Sequence, residues 1–227
     1  MTTTFQKIEP VSKKVRLVSL LREAIVSGAL QSGEQVVEGK LAQQFGVGQG
    51  LIREALIELE HQGFVQRTPF SGTQVSKLSL EDAQQIFDIR IELEPLAFLL
   101  TGHRASPEQI KELMEISAKS KEAALGEDVD AFFDIHLAFR KKVWELSGNK
   151  FLKQALERVV IPLYALYLIR RSQNREGLLQ TVVDCVEHQD RIFAAYSKGD
   201  NEEAKRVVRE FLMKMKEYLG TRLVPTA

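Results

Sequence analysis

The chain has 227 residues, 44% of them apolar, and its 31 basic and 31 acidic residues give a formal net charge of +0 at pH 7. This composition is typical of a soluble protein with a substantial core, and the balanced charge means that any surface for nucleic acid must be local. The single cysteine, Cys185, excludes an internal disulfide, and the lack of a secretion-like apolar run at the start favours a cytoplasmic location.

Apolar residues in the first part of the chain recur at helical spacing between closely spaced breaks. They predict three short helices, whose inner faces are formed by Leu17, Leu20, Leu21, Ala24 and Ile25, by Leu41, Ala42 and Phe45, and by Leu51, Ile52, Ala55, Leu56 and Leu59. After Gly63, two short strand patterns flank a turn signal at residues 69–72. Three helices followed by a hairpin predict a winged helix-turn-helix domain over residues 1–77.

A glycine-rich stretch, GVGQG at residues 46–50, has two possible roles. In a nucleotide-binding loop, such glycines follow a buried strand and cradle phosphate ahead of a helix. Here the preceding segment, EGKLAQQF, has a helical pattern, and no lysine closes the loop. We therefore interpret the glycines as the turn between two helices, and we expect the second of these helices to lie in a major groove of DNA.

From residue 78 onward the pattern changes to long amphipathic helices without strand signals. Serine and aspartate residues predict helix N-termini at Ser79, Ser106, Asp128 and Asp200. Breaks are predicted at Gly102, Gly126, residues 148–149, residues 172–177 and Gly199. About six helices then form an all-α antiparallel bundle over residues 78–227. The most apolar stretch, residues 159–169, is well below the roughly 20 residues that cross a bilayer, so it is predicted to be a buried helix.

Motifs in both domains together resemble one bacterial protein family. Those of the first domain are LREAIVSG at 21–28, Glu38 before Leu41-Ala42, REAL at 53–56, and GTQV at 72–75; those of the second are Leu80-Glu81-Asp82, Arg90 with Glu94, Phe139, Ser147-Gly148-Asn149, and Gly199-Asp200. The first set resembles the DNA-binding domain of GntR-type transcription regulators, and the second resembles the effector domain of their FadR-like (FCD) branch. The resemblance implies a dimeric regulator whose DNA affinity changes when a small metabolite binds the helical domain.

The resemblance implies a DNA-binding surface at the start of the third helix, at the wing and at basic residues nearby. Its predicted members are Lys13, Lys14, Lys40, Gly48, Gln49, Gly50, Arg53, Ser71, Gly72 and Thr73. Gly48-Gln49-Gly50 stands where the family commonly has Ser-Arg-Thr, and Gly39 stands where it commonly has arginine. Because glutamine suits adenine while arginine binds guanine, we expect an altered or more weakly bound operator.

Simpler roles stay open for three of these residues. Lys13 and Lys14 fit a solvated helix start, because charge runs usually lie on solvated faces. Arg53 could form an ion pair within its own helix, with Glu54 or Glu60. Adjacent residues do not face each other and residue 60 is two turns away, so DNA contact is the favoured role of Arg53.

Many FCD domains hold a metal ion through one aspartate and three histidines, and the resemblance places those positions here. His136 falls at the aspartate position, Arg140 at the first histidine, His188 or Gln189 at the next, and Phe211 at the last. Arginine and phenylalanine cannot ligate a cation. We therefore predict no metal cofactor, although His136 and His188, with Asp184 one turn earlier, could still recruit zinc.

Replacing a cation with Arg140 suggests an effector site for a small organic acid. Arginine brings a fixed positive charge and a planar fork of donors that suits a carboxylate. Arg90, at the pocket-facing position of the family, is a second candidate clamp, and His136 and His188 complete the predicted site. The alternative is that Arg140 pairs with a buried acid such as Glu94 or Glu145, because buried charges are normally paired.

These patterns predict a cytoplasmic transcription regulator that binds a palindromic operator in double-stranded DNA as a homodimer, without a membrane partner. Two other classes stay open. One is a metal-dependent enzyme built on His136, His188 and Asp184, which lacks a convincing nucleophile or complete ligand set. The other is a winged-helix module whose altered recognition helix binds protein rather than DNA.

Overall fold

The computed structural model describes residues 13–68, 72–170 and 175–219, which form two compact units that divide between Lys77 and Leu78. The described residues are mostly helical, as the sequence predicts. The N-terminal unit contains α1 (Lys13–Val26), β1 (Gln35–Val36), α2 (Glu38–Phe45), α3 (Gln49–His61), β2 (Val65–Thr68) and β3 (Gly72–Val75). The C-terminal unit contains α4 (Leu80–Arg104), α5 (Pro107–Leu125), α6 (Val129–Leu146), α7 (Lys150–Arg170), α8 (Arg175–Ser197) and α9 (Asn201–Glu217).

The three helices of the N-terminal unit enclose a core of residues that recur at helical spacing. Leu21 and Ile25 of α1 pack with Ile52, Leu56 and Leu59 of α3, and all five are almost fully buried. The predicted inner face of α1 is wrong at one residue. Leu20 is 41% exposed, and Val18 is buried instead. Burial of these apolar side chains stabilises the packing of α1 against α3.

The hairpin of the N-terminal unit belongs to a three-stranded antiparallel sheet in the order β1-β3-β2. Val65 pairs with Val75 and Thr68 with Gly72 in the β2–β3 register. On its other edge, β3 pairs with β1, a two-residue strand that the sequence patterns do not predict. Two residues are too few to show alternation, so only pairing with β3 defines this strand.

The C-terminal unit is an all-helical domain in which α4 packs against α6, α7 and α9. Its four predicted N-terminal caps are confirmed: Ser79 and Ser106 form capping boxes with Asp82 and Gln109, and Asp128 and Asp200 each accept a backbone N–H from the first turn. Large aromatic side chains fill the core, namely Phe87, Phe98, Phe132, Phe139 and Trp144. Residues 159–169 lie within α7, and no helix in the described ranges is long and apolar enough to span a membrane.

The predicted break at Gly102 is wrong, because α4 continues through it to Arg104. A Cβ atom at this position would clash with the side chain of Asn201 and lie 2.8 Å from that of Tyr196. Glycine is therefore required by the close approach of neighbouring side chains rather than by a change of backbone direction. The break predicted at residues 172–177 also needs correction at its end, since α8 already begins at Arg175.

Candidate functional site

The turn between α2 and α3 presents an open stretch of backbone at the surface of the N-terminal unit. Gly46 closes α2 with φ of 63°, a left-handed conformation that favours glycine. Gly48 and Gly50 have no such requirement, and a Cβ atom at either would meet nothing within 4 Å. Gly48, Gln49 and Gly50 are all exposed. The start of α3 is therefore accessible to a macromolecular partner that approaches the backbone closely.

Glu38 joins two arginines from different elements, and we call Glu38, Arg53 and Arg67 the exposed triad. Glu38 opens α2 and accepts hydrogen bonds from Arg53 Nη2 at 2.9 Å and Arg53 Nε at 3.2 Å. Arg67 of β2 lies 3.4 Å from the same carboxylate. The bond from Arg53 lowers the pKa of the Glu38 carboxyl and raises the pKa of Arg53. The Arg53 side chain nevertheless remains 59% exposed, so it can still contact an external partner.

A second group with the same composition lies inside the C-terminal unit, and we call Arg90, Glu94 and Arg140 the buried triad. One Glu94 oxygen is 2.6 Å from Arg90 Nε, and the other is 2.6 Å from Arg140 Nη1. The exposed fractions of the side chains are 5% for Arg90 and 0% for both Glu94 and Arg140. Of the two acids considered as partners of Arg140, Glu94 is thus the one that binds it. The guanidinium groups also lie over aromatic rings, those of Phe87 and Phe98.

Two buried histidines adjoin the buried triad and differ in their contacts. His136 receives a hydrogen bond from Arg140 Nε at 3.4 Å, and its Nδ1 lies 3.1 Å from the Gln189 carboxamide. His188 stacks on Phe211 with ring centroids 4.1 Å apart, and neither of its ring nitrogens has a hydrogen-bond partner in the described part of the chain. Burial, together with the charge of Arg140, lowers the pKa of both histidines well below the ordinary value, so both are neutral.

A small cavity of about 20 Å³ lies beside the buried triad. The residues around it include Arg90, His136, Tyr164 and Thr181 as well as Phe87, Phe133, Phe211 and Met215, and almost all of the surface that they present to the cavity is apolar. Arg140 does not line the cavity, but its Nε donates a hydrogen bond to His136, which does. The volume suffices for about one water molecule. The C-terminal unit therefore has a small, mainly apolar cavity that adjoins the buried triad.

Comparison with known families assigns both units. The sequence model of the bacterial regulatory proteins of the gntR family matches residues 13–75, and that of the FCD domain matches residues 85–213. The chain belongs to the GntR family, FCD branch. The regulator is 28% identical over 206 residues to the HTH-type transcriptional regulator YdhC of Bacillus subtilis, and the match covers 90% of this chain and 89% of that protein.

Other relatives agree with this assignment along nearly the whole chain. The HTH-type transcriptional regulator McbR of Escherichia coli is 23% identical over 211 residues, covering 91% of this chain and 92% of McbR. The solved structure of E. coli McbR/YncC has the same fold, with a TM-score of 0.70 and 22% identity over 93% of this chain and 99% of that chain. The protein is therefore a transcription regulator, and the family assignment removes the metal-dependent enzyme from consideration.

The residues predicted to contact DNA fall into three groups in the structure. Those that are exposed, fully or in part, are Lys13, Lys14, Lys40, Gly48, Gln49, Gly50, Arg53 and Gly72. Ser71 lies outside the described residues, and its predicted contact stays a prediction. Thr73 needs correction, because its side chain is buried, with 5% exposed, on the inner face of the central strand β3. This burial argues against a contact of its hydroxyl with DNA.

A metal ion does not fit the residues at the positions that ligate one in many FCD domains. Arg140 is a cation without a lone pair, Phe211 has no donor atom, and both nitrogens of His136 already have close polar neighbours. Asp184, the remaining acid near His188, forms an ion pair with Lys214 at 3.4 Å. In the part of the chain that the structure describes, no three His, Cys, Asp or Glu side chains are arranged to hold a metal.

Sequence reasoning missed three contributors to these sites. The sequence does not predict Glu38 and Arg67 as partners of Arg53, because Glu38 and Arg53 are 15 positions apart and only the fold joins them. Tyr164 has the helical spacing of a packing residue, yet its ring stacks on His136 and lines the cavity. By contrast, the four-residue spacing of Arg90 and Glu94 is visible in the sequence, and this is the usual spacing of an ion pair on one helix face.

Proposed function

We propose that this regulator binds a palindromic DNA operator as a homodimer and that a small organic anion, bound in the C-terminal unit, changes its affinity for DNA. The observation that carries the DNA part is the open start of α3, where Gly48, Gln49 and Gly50 are exposed on a winged helix-turn-helix fold. The second helix of such a motif places its first residues against base edges in the major groove.

Base readout is assigned to Gln49 and Arg53, which lie four residues apart on α3. This spacing brings both side chains to the same face of the helix, and both are exposed. Arginine pairs with the guanine edge through two hydrogen bonds, and glutamine pairs in the same way with adenine. The Gln49 amide lies near Gly39, where a Cβ atom would be 3.5 Å from it. The two departures from the common family pattern are thus neighbours at the surface.

Phosphate contacts are assigned to residues around Gln49 and Arg53. Lys13, Lys14 and Lys40 supply positive charge without base specificity, and Gly48, Gly50 and Gly72 allow the backbone to approach the duplex. Ser71 adds a hydroxyl at the wing in this proposal. A regulator with this small set of positive charges depends on a second copy for affinity, because each protomer contacts only one half-site.

The effector part rests on the two guanidinium groups of the buried triad and on the cavity beside them. Arg90 lines this cavity directly, and Arg140 adjoins it through His136. His188 lies on the neighbouring helix with both ring nitrogens buried and without hydrogen-bond partners among the described residues. Arginine groups of this kind bind carboxylates through charge-assisted hydrogen bonds. A small organic anion is therefore the effector class that the site suits best.

Selection of operators from randomised DNA by the full-length protein tests this function. We expect an inverted repeat in which each half-site contains one position read by Arg53 and one read by Gln49. The variant Gln49→Arg should shift one position per half-site towards guanine, by roughly tenfold in preference. Sedimentation of the protein–DNA complex should give two protomers per operator. Recovery of no consensus sequence would contradict DNA readout, and the same consensus for both proteins would remove Gln49 from it.

A further inference from the structure

The exposed triad uses only one edge of the Arg53 guanidinium group. Glu38 accepts hydrogen bonds from Arg53 Nη2 at 2.9 Å and Nε at 3.2 Å, so its carboxylate lies along the edge that these two nitrogens share. No hydrogen bond within the described part of the chain involves Nη1. A guanidinium group has five N–H donors in a fixed plane. The terminal edge, formed by Nη1 and the outer N–H of Nη2, is therefore open, and the side chain is 59% exposed.

The Glu38 carboxylate is itself held from two sides. Its Oε2 is the oxygen closer to Arg53, and its Oε1 accepts a hydrogen bond from Arg67 Nη2 at 3.4 Å. Because Glu38 belongs to α2, Arg53 to α3 and Arg67 to β2, this carboxylate joins three elements of the N-terminal unit. The hydrogen bond from Arg53 lowers the pKa of Glu38, which therefore keeps its negative charge at neutral pH. These contacts restrict the rotation of an arginine side chain that is mostly in water.

We propose that Glu38 is a positioning residue for base readout, which keeps the Nε edge of Arg53 occupied while the terminal edge pairs with a guanine of the operator. This inference rests on the proposed DNA-binding function and gives a role to a residue outside its predicted contacts. Arginine binds guanine O6 and N7 through two hydrogen bonds, for which the two terminal nitrogens suffice. The ion pair can separate with a small loss of free energy, yet a guanine does not require this.

Holding Arg53 in place favours binding to a base edge, because less side-chain motion is lost when the contact forms. An arginine side chain has many rotamers, and immobilising one on binding opposes the association. Glu38 imposes this order before DNA arrives. It also fixes the direction of the terminal edge, so the gain applies only where a pair of acceptors lies opposite that edge. Pre-organisation therefore favours the operator over other sequences.

The negative charge of Glu38 acts mainly against contacts to phosphate. The ion pair of Glu38 and Arg53 has no net charge, so its attraction to a phosphate group is weaker than that of a free guanidinium group. A guanine edge is neutral and is bound through directed hydrogen bonds, so the carboxylate weakens this contact less. Phosphates are present at every position of DNA, whereas guanine edges depend on the sequence. Glu38 thus raises specificity by lowering affinity for competing sites.

The experiment compares full-length wild-type protein and two variants on the selected operator and on DNA of unrelated sequence, by fluorescence anisotropy at one salt concentration. Glu38→Gln removes the charge that holds Arg53. Glu54→Gln is the matched control, because it removes one negative charge from an exposed residue of α3, whereas the ion pair of Arg53 is with Glu38. We expect Glu38→Gln to lower the ratio of operator to non-specific affinity by about fivefold per half-site. Glu54→Gln should leave this ratio unchanged.

A modified base separates positioning from a general effect on charge or folding. The operator position read by Arg53 is the one whose guanine preference disappears in Arg53→Ala. Replacing that guanine with 7-deazaguanine removes the N7 acceptor and should weaken wild-type binding by about tenfold. The same replacement should weaken binding of Glu38→Gln by less than about threefold, because its Arg53 is no longer held towards the base. Adding Glu38→Gln to Arg53→Ala should not lower discrimination further, since the two residues act as a unit.

An unchanged ratio of operator to non-specific affinity in Glu38→Gln would overturn the inference, and so would an equal loss in Glu54→Gln. A full effect of 7-deazaguanine in Glu38→Gln would show that Arg53 reads guanine without Glu38. In each of these cases the operator is still recognised, so the proposed function stands. If selection recovers no operator, or if Arg53→Ala changes no base preference, the assignment of readout to Arg53 fails and this inference fails with it.

Discussion

The exposed triad of the N-terminal unit and the buried triad of the C-terminal unit contain the same side chains, two arginines around one glutamate. In the exposed triad the glutamate side chain is 23% exposed and Arg53 is 59% exposed, so water hydrates every charge. In the buried triad no side chain is more than 5% exposed. The Coulomb attraction between the same groups is therefore screened more strongly by solvent in the exposed triad than in the buried triad.

This difference indicates how each triad can be used. The exposed ion pairs contribute little to stability. Arg53 can therefore exchange Glu38 for a phosphate or a base edge with a small loss of free energy. The buried ion pairs cannot separate without leaving a charge in an apolar surrounding, so they fix the positions of α4 and α6. The buried guanidinium groups are therefore held in place by Glu94.

The largest effect should come from removing the shared carboxylate in each unit. Glu94→Gln should lower the free energy of unfolding by about 3–5 kcal/mol, because two buried guanidinium groups lose their charged partner. Glu38→Gln, the same substitution in the exposed triad, should lower it by less than about 1 kcal/mol. Denaturation followed by the fluorescence of Trp144, the single tryptophan, reports the C-terminal unit, and circular dichroism reports both. Similar losses in the two variants would contradict the assigned role of burial.

Lowering the pH should destabilise the C-terminal unit, because two of its buried histidines are neutral in the folded protein. His136 and His188 have depressed pKa values when folded, whereas each takes up a proton in the unfolded chain below about pH 6.5. The unfolded state then binds more protons, so stability falls as pH decreases. Between pH 7.5 and 5.5 the loss should be about 1.4 kcal/mol per histidine.

The variant His188→Gln tests this expectation. Its free energy of unfolding is measured at both pH values from Trp144 fluorescence. The pH-dependent loss should be about half that of the wild-type protein, because one of two titrating groups has gone. An unchanged dependence in the variant would mean that His188 does not contribute and that another group titrates.

Substitutions at Arg53 test whether the exposed triad is free to exchange partners. Arg53→Ala should weaken operator binding by about 10- to 100-fold, because one pairing with a base edge is lost in each half-site. The melting temperature should change little, since the side chain is mostly in water. A gel shift measures the first quantity and thermal unfolding the second. A variant that binds the operator normally but melts early would make Arg53 a structural residue.

The smallest effect should follow when Glu38 is neutralised in a DNA-binding assay. Glu38→Gln removes a negative charge beside the proposed DNA contact Arg53 and releases Arg53 and Arg67, so affinity for non-specific DNA should rise on the order of threefold. The salt dependence of binding should steepen, because more counterions are released. Fluorescence anisotropy at several salt concentrations measures both. A parallel gain of the same size for the operator would show that Glu38 adds no discrimination.

Local sequence determined most of the secondary structure. The capping serines and aspartates act within one helical turn, so the starts of α4, α5, α6 and α9 could be predicted from neighbouring residues alone. The left-handed Gly46 likewise ends α2 by its own backbone freedom, and apolar spacing predicts α3 because the period of the helix is fixed. The sequence also placed Arg140 and His136 one turn apart, which made them neighbours on any helix.

Only the tertiary structure decided what those residues contact. Glu94 was one of two possible partners for Arg140, and the packing of α4 against α6 selected it. Thr73 and Gly102 were misread for the same reason, since burial of a strand face and closeness of a neighbouring side chain depend on residues distant in sequence. The interaction energy of a charged side chain, moreover, depends on how far the fold exposes it to water. The same three side chains, two arginines and a glutamate, therefore form the exposed triad in one unit and the buried triad in the other.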